Sequence, residues 1–208
     1  MPDDELRAAF AELGAATLGE SGGRPMRSRI SAAWPGARLA APAFTVRCTP
    51  GDNLAVHVAV AEAPAGCALV VDVGIEAELG YWGEVLTTAA QTRGIVGLVI
   101  DGGVRDVEAL ERLAFPVFSA LIALPGATKT LPGEIGGRAT VGGVDVEAGD
   151  WVVGDRDGVT VVPRDQRDAV LAAGRARAEK ESGLFTALRA GRTTVELLGL
   201  DPAPITRA

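Results

Sequence analysis

Residues 68–121 read ALVVDVGIEAELGYWGEVLTTAAQTRGIVGLVIDGGVRDVEALERLAFPVFSAL, and this stretch decides the fold. It contains three short apolar runs of the kind that form buried strands, at 68–73, 95–100 and 116–121. Residues 84–93 and 107–113, which lie between the runs, have the spacing of helices. Strands that alternate with helices predict parallel pairing through right-handed crossovers. The stretch therefore predicts an α/β fold with a parallel sheet.

Glycine-rich segments separate these elements. Residues 80–83 (GYWG) predict a loop before the first helix, and Asp101-Gly102-Gly103 predicts a turn after the second strand. The chain has 27 glycines in 208 residues, about 13%, against about 7% in typical proteins. Because they have no G-X-Y period, a collagen-like fibre is excluded, and many tight turns are expected.

The flanking segments extend the prediction on both sides. Upstream, the patterns favour a helix over 3–13, irregular chain over 20–42, a strand over 43–48 and a helix over 53–62. Downstream, residues 139–163 form three short runs between glycine turns, which predict a β-meander or a small barrel wall. A long helix is expected over 165–190. No linker separates the parallel half from the β-rich half, so residues 1–208 are expected to form one domain.

Composition excludes several classes of function. The net charge of −7 argues against a nucleic-acid backbone as the main partner. No apolar run approaches 18 residues, so no membrane span is expected, and the first ten residues lack the pattern of a signal peptide. Cys48 and Cys67 have no zinc spacing and are expected to be reduced, buried residues of a cytoplasmic protein.

Two loops that follow predicted strands are expected to share one edge of the sheet, where ligands collect in α/β folds. The first loop carries Glu76, Glu78 and Glu84. The second carries Asp101, Arg105 and Asp106. Asp106 could be a ligand for a hard cation beside an Arg105 that binds a substrate oxyanion, with Gly102 and Gly103 allowing close approach. Alternatively, Asp106 caps the next helix and Arg105 is a solvated charge.

Gly83 and Glu84 open a helix whose first N–H groups, those of Val85 and Leu86, could hold a carboxylate or a phosphate. The alternative is an ordinary helix start, in which Glu84 complements the helix dipole.

Other reactive side chains are few. His57, the single histidine, lies in the apolar pattern of a helix and is expected to be partly buried with its hydrogen bonds satisfied. One histidine cannot build a His-rich zinc site, so a metal would be held by carboxylates and water, which favours Mg²⁺ or Mn²⁺. Lys129 and Lys180 are the only lysines, and neither sits in an apolar strand that would activate a Schiff-base amine. No phosphate-binding or dinucleotide-binding glycine motif is present.

Three segments together resemble a known family, the one that contains 4-hydroxy-4-methyl-2-oxoglutarate aldolase and the regulator of ribonuclease E activity A. These segments are residues 80–119, PGDNLAVHVAVAEA (50–63) and VEAGDWVVGDRDGVTVVP (146–163). The resemblance covers about residues 15–200. Aldolase members carry Asp, twenty residues and then Arg-Asp; here Glu84 stands in the first place, which leaves the substrate preference open.

The resemblance implies a layered β/β/α, swivelling-domain-like fold and a divalent-metal pyruvate aldolase with oxaloacetate decarboxylase side activity. It also implies a homotrimer or homohexamer with the active site between subunits. Asp106 would be the direct Mg²⁺ ligand and Arg105 would bind the keto oxygen of pyruvate. The backbone amides of Val85 and Leu86, next to Gly83, would hold the pyruvate carboxylate.

The acidic residues implied by the resemblance complete the expected site. Glu84 would contact water around the metal. Glu20 from a neighbouring subunit would join it, together with Glu181 or, alternatively, Glu179. A non-catalytic protein-binding regulator is the competing function. The physiological substrate stays open; three arginines, at 24, 27 and 29, either face the site or form a solvated stretch.

Overall fold

Parallel strands form the centre of the fold, as residues 68–121 predict. The computed structural model describes residues 3–75 and 78–206. Within them, the helices are α1 (Asp3–Gly19), α2 (Leu54–Glu62), α3 (Glu84–Thr92), α4 (Val107–Arg112), α5 (Arg167–Arg189) and α6 (Thr194–Leu198). The strands are β1 (Arg24–Pro25), β2 (Ser31–Ala32), β3 (Leu39–Cys48), β4 (Ala68–Asp72), β5 (Gly80–Trp82), β6 (Gly97–Val104), β7 (Val117–Ile122), β8 (Gly133–Ile135), β9 (Arg138–Val141), β10 (Val144–Glu147), β11 (Trp151–Asp155) and β12 (Gly158–Val162).

One large sheet of the described chain has the order β1-β12-β11-β3-β4-β6-β7-β2, with β5 beside β6 and β8 beside β3. Strands β3, β4, β6 and β7 are parallel neighbours, and the crossovers between them carry α2, α3 and α4. Strands β11 and β12 pair antiparallel, and β9 and β10 form a separate hairpin. The predicted α/β class, with a parallel half and a β-rich half, is confirmed.

Strand β3 belongs to both halves. Its residues Ala43–Arg47 pair parallel with β4, and Leu39–Pro42 pair antiparallel with β11. The prediction of irregular chain over 20–42 is therefore wrong at Leu39–Pro42. This segment, Leu-Ala-Ala-Pro, lacks β-branched residues, and its extended conformation depends on pairing with a strand more than a hundred residues away.

The sheet curls so that its two halves face each other. Phe118 of β7 packs against Gly154 of β11, where a Cβ would lie 2.7 Å from Phe118 Cζ. Val70 and Val99 share this apolar layer with Val152. On the opposite face of the parallel strands, α2, α3 and α4 cover a second apolar cluster. The two sheet layers and the helix layer give the expected β/β/α arrangement.

The predicted turn at Asp101-Gly102-Gly103 and the predicted loop at 80–83 are both wrong. Strand β6 runs on to Val104, and Gly80–Trp82 forms β5 alongside it. A Cβ at Gly103 would lie 2.5 Å from the carbonyl oxygen of Leu79, so a larger residue would force β6 away from the segment that leads into β5. Gly102 and Gly103 therefore serve strand packing and not the approach of a ligand.

Other boundaries also shift. Helix α1 continues beyond residue 13 to Gly19, with a break at Gly14 (φ 77°, ψ 168°). The three runs predicted over 139–163 are four strands, β9 to β12, and β8 and α6 have no counterpart in the prediction. The long terminal helix, α5, is confirmed.

Cys48 and Cys67 are buried and unbridged, as expected. Burial raises the pKa of the Cys48 thiol to about 12 and that of Cys67 to about 11, so both are unreactive at neutral pH.

Across residues 3–75 and 78–206, no helix combines the length and the apolar character needed to cross a membrane.

Candidate active site

The first turn of α3 presents unpaired backbone donors. Helix α3 follows Gly83, whose backbone is extended and makes no side-chain cap. The N–H of Thr87 donates to the carbonyl oxygen of Gly83 at 3.0 Å, which is the first backbone hydrogen bond of the helix. The N–H groups of Val85 and Leu86 have no acceptor within the described residues. Such a helix start attracts an anion through its free donors and its dipole.

Asp106 lies beside this helix start. Its backbone is left-handed (φ 58°, ψ 36°), and its side chain makes no capping bond to α4, the helix it precedes. Instead, Asp106 Oδ2 accepts the N–H of Glu84 at 3.0 Å. A Cβ at Gly83 would collide with this oxygen, so only glycine leaves room for the carboxylate. Asp106 therefore occupies the N-cap position of α4, but its carboxylate makes no capping bond there and binds the start of α3 instead.

Arg105 lies beside the start of α3 and beside Asp106. Its backbone N–H donates to the carbonyl oxygen of Trp82 at 2.9 Å, and its side chain crosses Gly80, where a Cβ would lie 3.1 Å from Arg105 Cδ. Its Nε is 3.9 Å from Asp106 Oδ2, and its side chain is 45% exposed. Its Nη1 atom also donates to the carbonyl oxygen of Leu124 at 3.5 Å, and most of the guanidinium N–H donors stay available.

A cavity of about 200 Å³ joins these groups. Its lining includes five residues predicted for the site: Gly83, Val85, Leu86, Arg105 and Asp106. The lining also includes Asn53, His57 and Lys129, which were not predicted as site residues. The cavity therefore combines free backbone donors, two cationic side chains and one carboxylate.

His57 differs from its expected state. It is partly buried, as predicted, but its Nε2 atom is buried without a hydrogen-bond partner in the described chain. Burial, and then the charge of Lys129, lower the pKa of His57, against the opposing effect of Asp52. The expectation of satisfied hydrogen bonds is therefore wrong, and the lowered pKa favours the neutral imidazole. Periodicity could not show this, because the cavity is formed by distant segments.

The predicted acidic residues lie outside the cavity wall. Glu84 Oε1 accepts a hydrogen bond from Arg112 at 2.7 Å on the exposed side of α3. Glu20 and Glu181 both pair with Arg177, where α1 meets α5. Glu179 is exposed on α5, and Glu78 is exposed after β4. Glu76 lies outside the described residues.

The remaining predicted candidates are also elsewhere. Arg29 donates to both carboxylate oxygens of Asp101, at 2.9 and 2.6 Å, so Asp101 is not part of the site. Arg24 lines a separate polar cavity, and the Arg27 side chain lies over Gly143. None of the three arginines lines the cavity of Arg105 within this chain. Lys180 is exposed on α5.

The donor set fits a hard divalent cation held by one side chain. The Asp106 side chain is 42% exposed, and its Oδ1 atom has no partner among the described residues. No group of three or more His, Cys, Asp and Glu side chains that could hold a metal occurs in residues 3–75 and 78–206. Mg²⁺ commonly takes one or two carboxylates and keeps several waters, whereas a structural zinc site needs four ligands. The residues present therefore suit Mg²⁺ or Mn²⁺ better than zinc.

The fold and the cavity together define a small α/β protein with a pocket of backbone donors and cationic side chains at the carboxyl edge of a parallel sheet. Residues 9–161 match the family model described as RraA-like, Aldolase/RraA, and the chain belongs to this RraA-like family. A relative from Halalkalibacterium halodurans, named "Putative 4-hydroxy-4-methyl-2-oxoglutarate aldolase", is 40% identical over 134 residues. The alignment spans 64% of this chain and only 64% of that relative's length.

Two solved structures share the fold. One is described as Streptomyces coelicolor RraAS2, an unusual member of the RNase ES inhibitor RraA protein family. It has a TM-score of 0.76 at 25% identity, over 88% of this chain and 97% of that one. The other is the RNA-processing inhibitor RraA from Thermus thermophilis, with a TM-score of 0.65 at 27% identity, over 72% of this chain and 92% of that one.

Proposed function

We propose that this protein is a divalent-metal-dependent pyruvate aldolase. It would cleave a 4-hydroxy-2-oxo acid, such as 4-hydroxy-4-methyl-2-oxoglutarate, to pyruvate and a second keto acid, with oxaloacetate decarboxylation as a side activity. One observation carries the proposal: a single cavity joins the free N–H groups of α3, the Arg105 guanidinium and the Asp106 carboxylate. The RraA-like relative named as an aldolase supports it.

The free donors suit the pyruvate half of such a substrate. The N–H groups of Val85 and Leu86 would hold its carboxylate, because the helix start offers two donors and a favourable dipole. Arg105 would donate to the keto oxygen at the adjoining wall. When the bond between C3 and C4 breaks, its electron pair passes into an enolate of pyruvate, and charge develops on that oxygen. A fixed guanidinium stabilises this charge more in the transition state than in the bound substrate.

Asp106 would hold Mg²⁺ or Mn²⁺ through its carboxylate. A bound divalent cation would supply Lewis-acid stabilisation of the same developing charge. Oxaloacetate decarboxylation passes through the same enolate, so Arg105 and the α3 donors would serve both reactions. The exposed mouth of the cavity, where Val85 is 79% exposed, gives the substrate its entry.

Cleavage also removes the proton of the C4 hydroxyl, as that carbon becomes the carbonyl of the second keto acid, and pyruvate forms when the enolate gains a proton at C3. Carboxylates at the mouth would accept the first proton and supply the second. Glu84 lies one residue beyond Gly83, and a neighbouring copy in a homotrimer or homohexamer would contribute its own Glu20 and Glu181, with Glu179 as the alternative. Within one chain, Glu20 and Glu181 already share Arg177, so they would move into such an interface as a pair. We also propose a cytoplasmic location, where the buried thiols stay reduced.

The test is pyruvate release from 4-hydroxy-4-methyl-2-oxoglutarate and from oxaloacetate, with Mg²⁺ and with chelator. We expect metal-dependent release from both. Asp106→Ala should abolish it, and Arg105→Ala should remove most of it while Mg²⁺ still binds. Full activity of Asp106→Ala in chelator would overturn the mechanism. Absence of metal-dependent release from either substrate would instead favour a protein-binding regulator, in keeping with the two solved relatives described as RraA inhibitors.

A further inference from the structure

Two residues of the cavity wall, at the start of α2, each carry an unsatisfied polar atom. Asn53 Oδ1 and His57 Nε2 are both buried without hydrogen-bond partners in the part of the chain that the structure describes. Both residues line the same cavity as Arg105 and Asp106. They are four positions apart, which is one turn of helix, so they lie on one face of α2. A buried polar atom without a partner is unfavourable unless a ligand or water completes it.

The orientation of Asn53 is fixed. Its Nδ2 atom donates to the carbonyl oxygen of Tyr81 at 2.8 Å, so the atom left without a partner is the acceptor, Oδ1. Asn53 occupies the N-cap position of α2, where asparagine ordinarily accepts a bond from the first turn, yet it makes no such bond. The residue is 4% exposed. Its Oδ1 atom therefore accepts no bond from α2 and is buried in a residue of the cavity wall.

His57 and Lys129 complete this wall. Burial, and then the charge of Lys129, lower the pKa of His57 against the opposing effect of Asp52, which favours the neutral imidazole. A neutral imidazole nitrogen exchanges hydrogen bonds with a hydroxyl in either direction. Lys129 Nζ makes one bond, to the carbonyl oxygen of Ala127 at 3.3 Å, and keeps further protons to donate. The wall thus offers one obligate acceptor, one imidazole and one cationic donor.

These three groups select the chemistry of their occupant. A carboxylate or a ketone can only accept, so it would satisfy Lys129 and leave Asn53 Oδ1 unpaired. A hydroxyl group both donates and accepts, and it can satisfy Asn53 and Lys129 together. We propose that Asn53 and His57 bind the hydroxyl group of the substrate and make this cavity selective for hydroxylated 2-oxo acids. This inference rests on the proposed aldolase function and adds its specificity determinant.

The test compares substrates that share a pyruvate half and differ in the hydroxyl. For wild type and His57→Leu, kcat/KM is measured for cleavage of 4-hydroxy-4-methyl-2-oxoglutarate and for decarboxylation of oxaloacetate, which has no hydroxyl. The ratio of the two values should fall about tenfold in His57→Leu, the order expected when one hydrogen bond to substrate is lost. His57→Gln, which keeps a polar atom, should recover part of the ratio. Val58→Ala, on the outward side of α2 (38% exposed), is the matched control and should leave the ratio unchanged.

Asn53→Ala should shift the ratio in the same direction, with thermal unfolding measured alongside because its Nδ2 bond to Tyr81 is also lost. An unchanged ratio in both His57→Leu and Asn53→Ala overturns the inference. An equal fall of kcat/KM in both reactions of His57→Leu also overturns it, since that result would mean that His57 acts on the pyruvate half of the substrate or on the stability of the fold.

Calorimetric binding separates this inference from the proposed function. With chelator present, so that no cleavage is expected, wild type should bind 4-hydroxy-2-oxoglutarate about tenfold more tightly than 2-oxoglutarate, and His57→Leu should lose the difference. If wild type releases no pyruvate from any substrate, the proposed function fails, and this binding comparison still decides whether the wall recognises a hydroxyl. Equal binding of the two acids by wild type overturns the inference.

Discussion

The Asp106 carboxylate and the backbone N–H of Glu84 are joined by a hydrogen bond of 3.0 Å, which ties the end of β6 to the start of α3 across 22 residues of sequence. The bond takes one of the free donors of the α3 first turn and leaves those of Val85 and Leu86 open. It also holds the carboxylate in one orientation beside Gly83. The free donors of α3 and the candidate metal ligand are therefore positioned by the same contact.

Replacing Gly83 tests this arrangement directly. In Gly83→Ala, the new methyl group would collide with Asp106 Oδ2 and displace the carboxylate from α3. We expect metal-dependent pyruvate release to fall at least about tenfold, since an ångström-scale misplacement of a catalytic group commonly has an effect of this size or larger. Gly183→Ala is the control, because a Cβ at Gly183 has no atom within 4 Å. Unchanged activity in Gly83→Ala would contradict the role of the Asp106–Glu84 contact.

Asp52 should give the fold a measurable acid sensitivity. Burial would raise the pKa of this carboxyl, but hydrogen bonds from the N–H groups of Thr130, Leu54 and Leu131 and from the Thr128 hydroxyl outweigh it. The pKa therefore lies well below its usual range. Because the folded pKa is the lower one, the stabilisation is present above the unfolded value of about 3.9 and is lost as pH falls below it.

The comparison that checks this is urea unfolding of wild type and Asp52→Asn between pH 7 and pH 2. At pH 7 the variant should be about 2–4 kcal/mol less stable, because an amide cannot accept all the bonds from the 128–131 loop. The difference should shrink as pH falls from about 5 toward 2. Asp165→Asn, at an exposed position, provides the control. A gap that stays constant with pH would contradict the assignment.

Gly154 is expected to be intolerant of a side chain. A Cβ there would lie 2.7 Å from Phe118 Cζ, and the Phe118 ring is fully buried between the two halves of the sheet. We expect Gly154→Ala to lower the free energy of unfolding by about 1–3 kcal/mol through overpacking. Urea unfolding measures this. Adding Phe118→Leu should recover part of the loss, and a Gly154→Ala variant as stable as wild type would show that the halves are not in close contact.

The ion pair between Glu84 and Arg112 should contribute little to stability. Both side chains are mostly solvated, at 47% and 64% exposure, although Oε1 accepts from Arg112 at 2.7 Å. A double-mutant cycle with Glu84→Gln and Arg112→Ala should give a coupling free energy below about 1 kcal/mol, and less at high salt. A coupling above about 2 kcal/mol, or one insensitive to salt, would be inconsistent with a solvated pair.

Local patterns in the sequence were sufficient for the parallel half of the fold. The apolar runs over 68–121 and the helices between them carry their own periodicity, so β4, α3, α4 and β7 lie close to their predicted positions. Strand β5 and the end of β6 were missed because glycine signals a turn locally. At Gly103, however, glycine is required by the approach of another strand, which only the tertiary structure shows.

Some residues of the candidate site could be predicted from local patterns in the sequence, and others could not. Gly83, Val85, Leu86, Arg105 and Asp106 follow strand ends, and the topology rule for α/β sheets brings them together. Asn53, His57 and Lys129 come from α2 and from the segment after β7, and no local signal connects them. Their common cavity depends on how α2 packs beside α3.

Strand β3, which pairs with β4 along Ala43–Arg47 and with β11 along Leu39–Pro42, has a consequence for how the molecule melts. If one half unfolded, its hydrogen bonds to β3 would be lost while β3 was still paired with the other half. Loss of either set of pairings would destabilise β3 for both halves, so the unfolding free energies of the two halves are coupled. Heat should unfold the domain in one cooperative transition, with equal calorimetric and van't Hoff enthalpies, and a fragment cut between β7 and β11 should have no independent melting point.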